Sequence, residues 1–157
     1  MRQLLWTGSL VVFTFGCADK SDDSENLTPQ EGVWDASEAV IASDSCGVFD
    51  QQGFETNAFV VTVIDDSTFE VEAGGEPIAC TLSGKDFACD SVVDVDDLSG
   101  DGFDAVLESS NTASGTFSSE TAAVVRFDFV LTCEGSDCGG IYDFPCSAEV
   151  VVDIVAE

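Results

Sequence analysis

The cysteines are the residues of this sequence from which reactive chemistry follows most directly. There are seven in 157 residues, and Cys17 stands apart from the others, which all lie in the body of the chain: Cys46, Cys80, Cys89, Cys133, Cys138 and Cys146. An even set of thiols in an oxidising compartment is typical of a disulfide framework. The count therefore divides into three disulfide pairs and one cysteine, Cys17, for a different covalent modification.

Residues 1–16 have the composition of a signal peptide. They carry one basic residue, no acidic residue and a 13-residue apolar segment, which is too short to span a hydrocarbon core of about 30 Å. The tetrapeptide Thr14-Phe15-Gly16-Cys17 resembles the lipobox of bacterial lipoproteins at Gly16 and Cys17 and departs from it at Thr14 and Phe15. The resemblance implies cleavage before Cys17, acylation of that residue and lasting attachment to a membrane.

Two interpretations of Cys17 are open. In the first, Cys17 is the acylated first residue of a cell-envelope lipoprotein, and Ala18 in place of aspartate favours the outer membrane under the enteric sorting rule. In the second, the leader is an ordinary secretory peptide and Cys17 is a free thiol. Both predict export. The polar, acidic residues 17–31 are expected to form a tether, and residues 32–157 the folded domain.

The charge balance excludes several classes of function. The chain has 31 acidic and 4 basic residues, a formal net charge of −27, and no histidine. Nucleic-acid binding requires basic residues that replace counterions, and an anionic membrane surface would repel this chain. Without histidine there is no Ser-His or Cys-His couple for nucleophilic catalysis. We therefore expect no nucleic-acid partner, no cofactor other than a metal ion and no enzymatic activity.

The acidity does not predict a disordered chain. Hydrophobic residues make up 45% of the sequence and 12 residues are phenylalanine, so a packed core can form. The carboxylates are then expected to form a solvated shell, as in proteins from salty water. Such a shell predicts that stability falls when salt is removed.

Apolar and polar residues alternate with a period of two along most of the chain, which indicates half-buried β-strands. The clearest segments are 67–73, 124–131 and 148–156. Shorter strands are predicted at 58–64, 78–82, 87–92, 103–109 and 113–118, with Ser109-Ser110-Asn111 as the turn between the last two. The fold class is all-β: a single antiparallel β-barrel or sandwich of about eight or nine short strands.

Residues 28–42 are ambiguous between helix and strand. Thr28-Pro29-Gln30-Glu31 has the form of a helix capping box, and alanine-rich sequence follows, but Gly32 would weaken the first turn, so we favour a strand. Gly32-Val33-Trp34 resembles the Gly-x-Trp of the first strand of lipocalins. That resemblance implies a β-barrel with a tryptophan near one end and a small apolar ligand inside.

Turn chemistry and register predict one disulfide. A two-residue turn at Gly84-Lys85, of type II′ because glycine comes first, places Cys80 opposite Cys89. The two cysteines then form a non-hydrogen-bonded pair, whose Cα atoms lie about 4.5 Å apart, within reach of a disulfide.

The other four cysteines allow three connectivities. We favour Cys133–Cys146, which would close the base of a wide hairpin, together with Cys46–Cys138. The alternative is a small loop, Cys133–Cys138, together with Cys46–Cys146. A zinc site at these cysteines is disfavoured, because the chain has no histidine and the spacing is not that of a zinc ribbon.

An acidic segment, 97–108, is the one candidate metal site. It resembles the calcium loops of EF-hands and integrin repeats at four oxygen-bearing residues and a turn glycine: Asp97, Ser99, Asp101, Glu108 and Gly102. It departs from both patterns at Asp104 and Ala105 and lacks flanking amphipathic helices. The alternative is a solvated acidic turn between strands.

Two functions from different classes are consistent with these features. The first is a non-catalytic, lipid-anchored binding module of the cell envelope, which holds a small apolar molecule or a protein partner. The second is a structural or adhesive acidic surface lipoprotein that binds calcium through segment 97–108. An apolar cavity of several hundred Å³ inside the domain would favour the first.

Overall fold

A computed structural model of the protein describes residues 26–49, 53–140 and 143–157. The predicted signal peptide and Cys17 lie outside these residues. The described chain forms two short 3₁₀ helices, Leu98–Asp101 and Cys138–Gly140, and ten β-strands: β1 (Gly32–Ala36), β2 (Val40–Asp44), β3 (Phe59–Asp65), β4 (Thr68–Glu72), β5 (Ile78–Ser83), β6 (Asp86–Cys89), β7 (Val92–Asp97), β8 (Val106–Ser119), β9 (Ala122–Glu134) and β10 (Cys146–Ala156). The all-β prediction is confirmed.

Eight of these strands close into an antiparallel barrel. Their order is β1-β3-β4-β5-β6-β8-β9-β10, and β10 pairs again with β1. Barrel neighbours follow one another along the chain, as in an up-and-down barrel, and closure leaves no free edge in the ring. The other two strands lie outside the ring: β7 pairs with the first part of β8, and β2 with the first part of β10.

The alternating pattern sets which side chains enter the barrel. In β10 every second residue from Cys146 to Ile154 is buried, whereas Asp153 and Val155 are exposed. The same inward period holds in β9, where Ala123 and Val125 are buried. Because side chains in a strand point alternately to its two faces, the sequence period translates directly into the core of the barrel.

Three elements differ from the sequence-based prediction. β8 is one continuous strand through Ser109-Ser110-Asn111, where a turn is predicted, because β9 pairs along its length while β7 and β6 share its other edge. β7 has six exposed residues, so no buried face distinguishes it in the sequence. Residues 28–42 contain no helix; β1 confirms the favoured strand, and β2 is a second, separate one.

An aromatic cluster closes one end of the barrel. Phe117 packs against Trp34, Phe69 and Phe87, with ring centroids 6.0, 5.8 and 4.9 Å away. Trp34 is completely buried, and its indole Nε1 donates a hydrogen bond to the carbonyl of Gln30 at 2.8 Å. A buried tryptophan needs such an acceptor, so this bond lets the largest side chain of the core remain dry.

Residues 26–31 cross the closed end. The amide of Leu27 donates to Gly84 O at 2.8 Å, and that of Gln30 to Glu120 O at 2.7 Å, so the segment joins two hairpin turns. Asn26 Oδ1 in turn accepts from Gly84 N at 2.8 Å. The folded part of the chain thus includes these six residues, which the sequence assigns to the end of the acidic tether.

The predicted Cys80–Cys89 disulfide is confirmed in its exact partners. β5 and β6 pair Cys80 with Cys89, and Ser83 with Asp86, in the register derived from the turn. Gly84 has a φ of +66°, and within the described residues only glycines have a positive φ, as a type II′ turn with Lys85 second requires.

The favoured pairing of the other four cysteines is wrong, and the alternative is found. Cys46 is bonded to Cys146, and Cys133 to Cys138. The reason is β2: its pairing of Asp44 with Ala148 continues for two more residues and places Cys46 beside Cys146. The sequence does not indicate that β2 lies along β10, so the partner of Cys146 could not be found from hairpin geometry alone.

The acidic shell is largely without cationic partners. One ion pair, Arg126 Nη1 to Glu149 Oε2 at 3.0 Å, forms within the described ranges, and the arginine side chain is 54% exposed. Carboxylates at the surface therefore face mainly water and one another. No helix in the described part of the chain has the length and apolar character needed to cross a membrane.

Candidate functional site

The barrel interior contains a cavity of about 270 Å³ above the aromatic cluster. Its floor includes Trp34, Phe69, Phe87 and Phe117. Its walls are mainly apolar side chains from the barrel strands: Ala36, Phe59, Val61, Val71, Ile78, Ala113, Val125, Phe127, Val152 and Ile154. The volume lies near the lower limit of known small-molecule sites, about 300–1,000 Å³.

The cavity exists because small residues occupy inward positions beyond the floor. The interior of an eight-stranded barrel is just wide enough to be filled by side chains or to hold one small ligand. Ala36 of β1 and Ala113 of β8 line the open space, whereas Trp34 and Phe117, which precede and follow them on the same strands, fill the closed end. The size of the inward side chains therefore divides the barrel into a packed half and an open half.

Segment 53–57 covers one side of the cavity through Phe54. The ring of Phe54 lies 5.6 Å from that of Phe49, 5.6 Å from that of Phe127 and 5.8 Å from that of Phe129. Phe54 and Phe127 both face the cavity. This second aromatic cluster thus forms a wall at the open half of the barrel, away from the floor.

The start of the covering segment is fixed by a carboxylate and a disulfide. Asp44 Oδ1 accepts hydrogen bonds from the amides of Cys46, at 3.0 Å, and Gly47, at 2.7 Å, while Oδ2 accepts from Phe49 N at 2.8 Å. The Cys46–Cys146 bond then joins the same turn to the first residue of β10. Phe49, and through it Phe54, is therefore held against β9.

One polar side chain reaches the interior. Asn111, on β8 two residues before Ala113, lines the cavity, and its Oδ1 is buried without a hydrogen-bond partner among the described residues. A buried acceptor left unsatisfied costs about 1–3 kcal/mol. The other polar side chains that line the cavity belong to its mouth: Glu55, Thr56, Asn57 and Asp90.

The mouth is negatively charged. Glu55 and Asp90 are exposed carboxylates at its rim, and no basic side chain lines the cavity among the residues described. With a formal net charge of −27 on the whole chain, the potential at the mouth disfavours anions. The site therefore suits neutral molecules that are mostly apolar.

The predicted calcium residues do not assemble into a metal site. Asp97 caps the 3₁₀ helix Leu98–Asp101, where its Oδ1 accepts from Ser99 N at 2.9 Å. Glu108 lies within β8, opposite Val95 of β7. In 26–49, 53–140 and 143–157 no group of three or more cysteine, aspartate or glutamate side chains is arranged to hold a metal ion. The structure thus does not support the calcium-loop prediction for Asp97, Ser99, Asp101 and Glu108.

Local hydrogen bonds occupy two carboxylates of this segment instead. Bonds from the side chain and the backbone of Ser99 lower the pKa of Asp97, and bonds from the side chain and the backbone of Ser136 lower the pKa of Asp104. Asp104 Oδ2 accepts from Ser136 Oγ at 2.8 Å and from Ser136 N at 3.1 Å. The acids therefore brace the turn against the neighbouring loop, which is the solvated-turn alternative.

The functional residues that sequence reasoning missed are Asn111 and Phe54. Asn111 falls in a predicted turn, where its polarity needs no explanation. Extending the alternation of Ala113 and Phe117 backwards along one strand would have placed Asn111 inside the barrel. Phe54 lies in a segment without periodicity, so the sequence contains no signal for it.

Comparison with known proteins adds no relative. The chain matches no known protein family, no curated protein and no solved structure.

Proposed function

We propose that this protein is an exported, lipid-anchored binding module whose barrel cavity takes a small, mostly apolar molecule. The observation that carries the proposal is the cavity of about 270 Å³ with its apolar walls. The ionisable side chains that line it, Glu55 and Asp90, lie at the mouth, and Cys89 is bonded to Cys80. This distribution supports binding rather than catalysis, because no nucleophile and base converge inside.

The disulfides and the cysteine count support export and anchoring. Three disulfides are typical of an oxidising compartment. Six of the seven cysteines are bonded to one another, which leaves Cys17 without a cysteine partner in its own chain. Together with the lipobox-like sequence, this supports acylation at Cys17 and display on the outer membrane.

A filled cavity is expected to abolish binding. Ala113→Leu places a larger side chain in the open half of the barrel, so the affinity for a small neutral aromatic probe, 2-naphthol, should fall at least about tenfold, because a packed interior does not accommodate added volume. Titration calorimetry or probe fluorescence measures the affinity. Thr112→Leu, the exposed neighbour on the same strand, is the matched control and should bind within about twofold of the unchanged protein.

Equal affinities of all three proteins would contradict the proposed site, and an unchanged protein that binds no small apolar probe would contradict the function. The structural or adhesive alternative would then be the better account. Because Ala113→Leu fills existing space, its thermal midpoint should not fall, which separates lost binding from lost folding.

Acylation of Cys17 is expected to be visible by metabolic labelling. Cells that grow with an alkyne analogue of palmitate should label the full-length protein, and Cys17→Ser should remove the label while the protein is still exported, because the thiol is the attachment point. Labelled protein should enter the detergent phase on Triton X-114 partition. Absence of label on the unchanged protein would sink the anchoring proposal but leave the cavity proposal untouched.

A further inference from the structure

The cavity contains an unmet demand for one hydrogen bond. Asn111 Oδ1 is buried and unpartnered within the described chain, and it lines an otherwise apolar interior. β8 positions this side chain firmly: the backbone of Asn111 is paired with Phe129 of β9 on one side and with Val92 of β7 on the other. The acceptor is therefore a fixed feature of the wall and is not at the end of a loop.

Water is a poor partner for this acceptor. A buried water molecule requires two to four polar groups, and the remaining polar side chains that line the cavity, among them Thr56 and Asn57, belong to the mouth. A ligand that fills the apolar space can instead bring its own donor to Asn111 and lose little elsewhere. The demand of the site is thus for one donor on a largely apolar body.

We propose that the cavity selects a small uncharged molecule, aromatic or aliphatic, that carries one hydroxyl or N–H group and donates it to Asn111 Oδ1. The apolar walls and the volume of about 270 Å³ set the size and the hydrophobic body of the ligand. The carboxylates Glu55 and Asp90 at the mouth exclude anions such as fatty-acid carboxylates. Asn111 is then the specificity-determining residue of the site, and this inference rests on the proposed binding function.

Three probes of nearly equal shape separate this inference from simple hydrophobic binding. 2-Naphthol has a hydroxyl donor, 2-methoxynaphthalene has an acceptor at the same position, and naphthalene has neither. With the full mature protein at neutral pH, calorimetry should show 2-naphthol binding about tenfold tighter than either of the others, because the donor satisfies an acceptor that otherwise stays unpaired.

Substitution of the acceptor provides the second arm. Asn111→Leu keeps the approximate size of the side chain and removes its polar atoms, so the preference for 2-naphthol should collapse to about onefold while naphthalene binds at least as well as before. Asn111→Ala removes the acceptor with less volume and gives the same answer if the leucine variant does not fold. Thr112→Leu should keep the full preference.

The outcomes are distinct. Equal binding of all three probes to the unchanged protein overturns the role of Asn111 but leaves the apolar site intact. Tighter binding of 2-methoxynaphthalene than of 2-naphthol also overturns it, since the carboxamide would then donate rather than accept. Binding of none of the probes overturns both the selectivity and the function on which it rests.

Discussion

Replacement of both Cys46 and Cys146 by serine is expected to lower the free energy of unfolding by about 4–5 kcal/mol. The bond joins residues separated by 100 positions, and in the chain-entropy model a loop of about 100 residues contributes about 4.7 kcal/mol through the unfolded state. The other two disulfides span 9 and 5 positions, for which the same relation gives only about 2–3 kcal/mol each. The Cys46–Cys146 bond is therefore the one on which the stability of the barrel depends most.

Urea unfolding of matched double variants measures this ranking. Cys133→Ser with Cys138→Ser is the control, because it also removes one disulfide and two sulfur atoms, and it should lose about half as much free energy as the first pair. Equal losses would show that loop length does not determine the contribution of these bonds. A constant slope against denaturant in both variants would confirm that they unfold from the same fold.

The same bond is expected to affect the cavity. Cys46–Cys146 fixes the turn that ends in Phe49, and Phe49 packs against Phe54 at the cavity wall. In conditions where the Cys46→Ser, Cys146→Ser variant is still folded, its affinity for 2-naphthol should fall, whereas the Cys133→Ser, Cys138→Ser variant should bind like the unchanged protein. A fold kept by three disulfides thus assigns one of them to the ligand site as well.

The parts of the fold that the sequence predicts are those set by local rules. The Cys80–Cys89 pair follows from a two-residue turn, because turn geometry determines register over the next few residues. The inward faces of β9 and β10 follow from period two, because one face of each strand is buried. These signals need no knowledge of the distant chain.

The parts that the sequence does not predict depend on distant partners. β2 lies along β10, more than a hundred residues later, and this pairing determines the partner of Cys146. β8 runs straight through a polar tripeptide because β7 and β9 supply its backbone with partners on both edges. Backbone hydrogen bonds with neighbouring strands outweigh the turn propensity of serine and asparagine there.

The candidate site shows the same division. Inward positions such as Ala113 can be assigned from alternation, but whether inward side chains fill a barrel depends on which sizes meet at each level, and that is decided by the register of all eight strands. The cavity and the unpaired Asn111 acceptor therefore appear only in three dimensions. The acidic segment 97–108 has the opposite history: its spacing resembles a calcium loop, yet its side chains form local hydrogen bonds.

The acidic shell should make the stability of the barrel strongly dependent on salt. A formal net charge of −27 is opposed within the described chain by a single ion pair, so folding brings like charges together. The screening length is about 30 Å at 0.01 M salt and about 3 Å at 1 M, which spans the distances between surface carboxylates. Because the unfolded chain holds the same charges farther apart, screening favours the folded state.

Thermal unfolding should therefore shift upward by about 10 °C between 0.01 and 0.3 M sodium chloride, equivalent to roughly 2–3 kcal/mol for a domain of this size. The rise should be steep below about 0.3 M and shallow above it, since screening saturates with concentration whereas salting-out grows linearly. A flat or purely linear curve would show that the carboxylates do not repel one another enough to matter.

A local variant tests the cause directly. Asp94 and Asp96 are exposed on the same face of the outer strand β7, so their carboxylates are near neighbours of like charge. Asp94→Asn with Asp96→Asn should raise the unfolding midpoint by a few degrees in 0.01 M salt and by almost nothing in 1 M salt, because only the unscreened repulsion is relieved. A gain of equal size in both salts would instead indicate improved strand propensity, and would separate the charge of this protein from the shape of its strands.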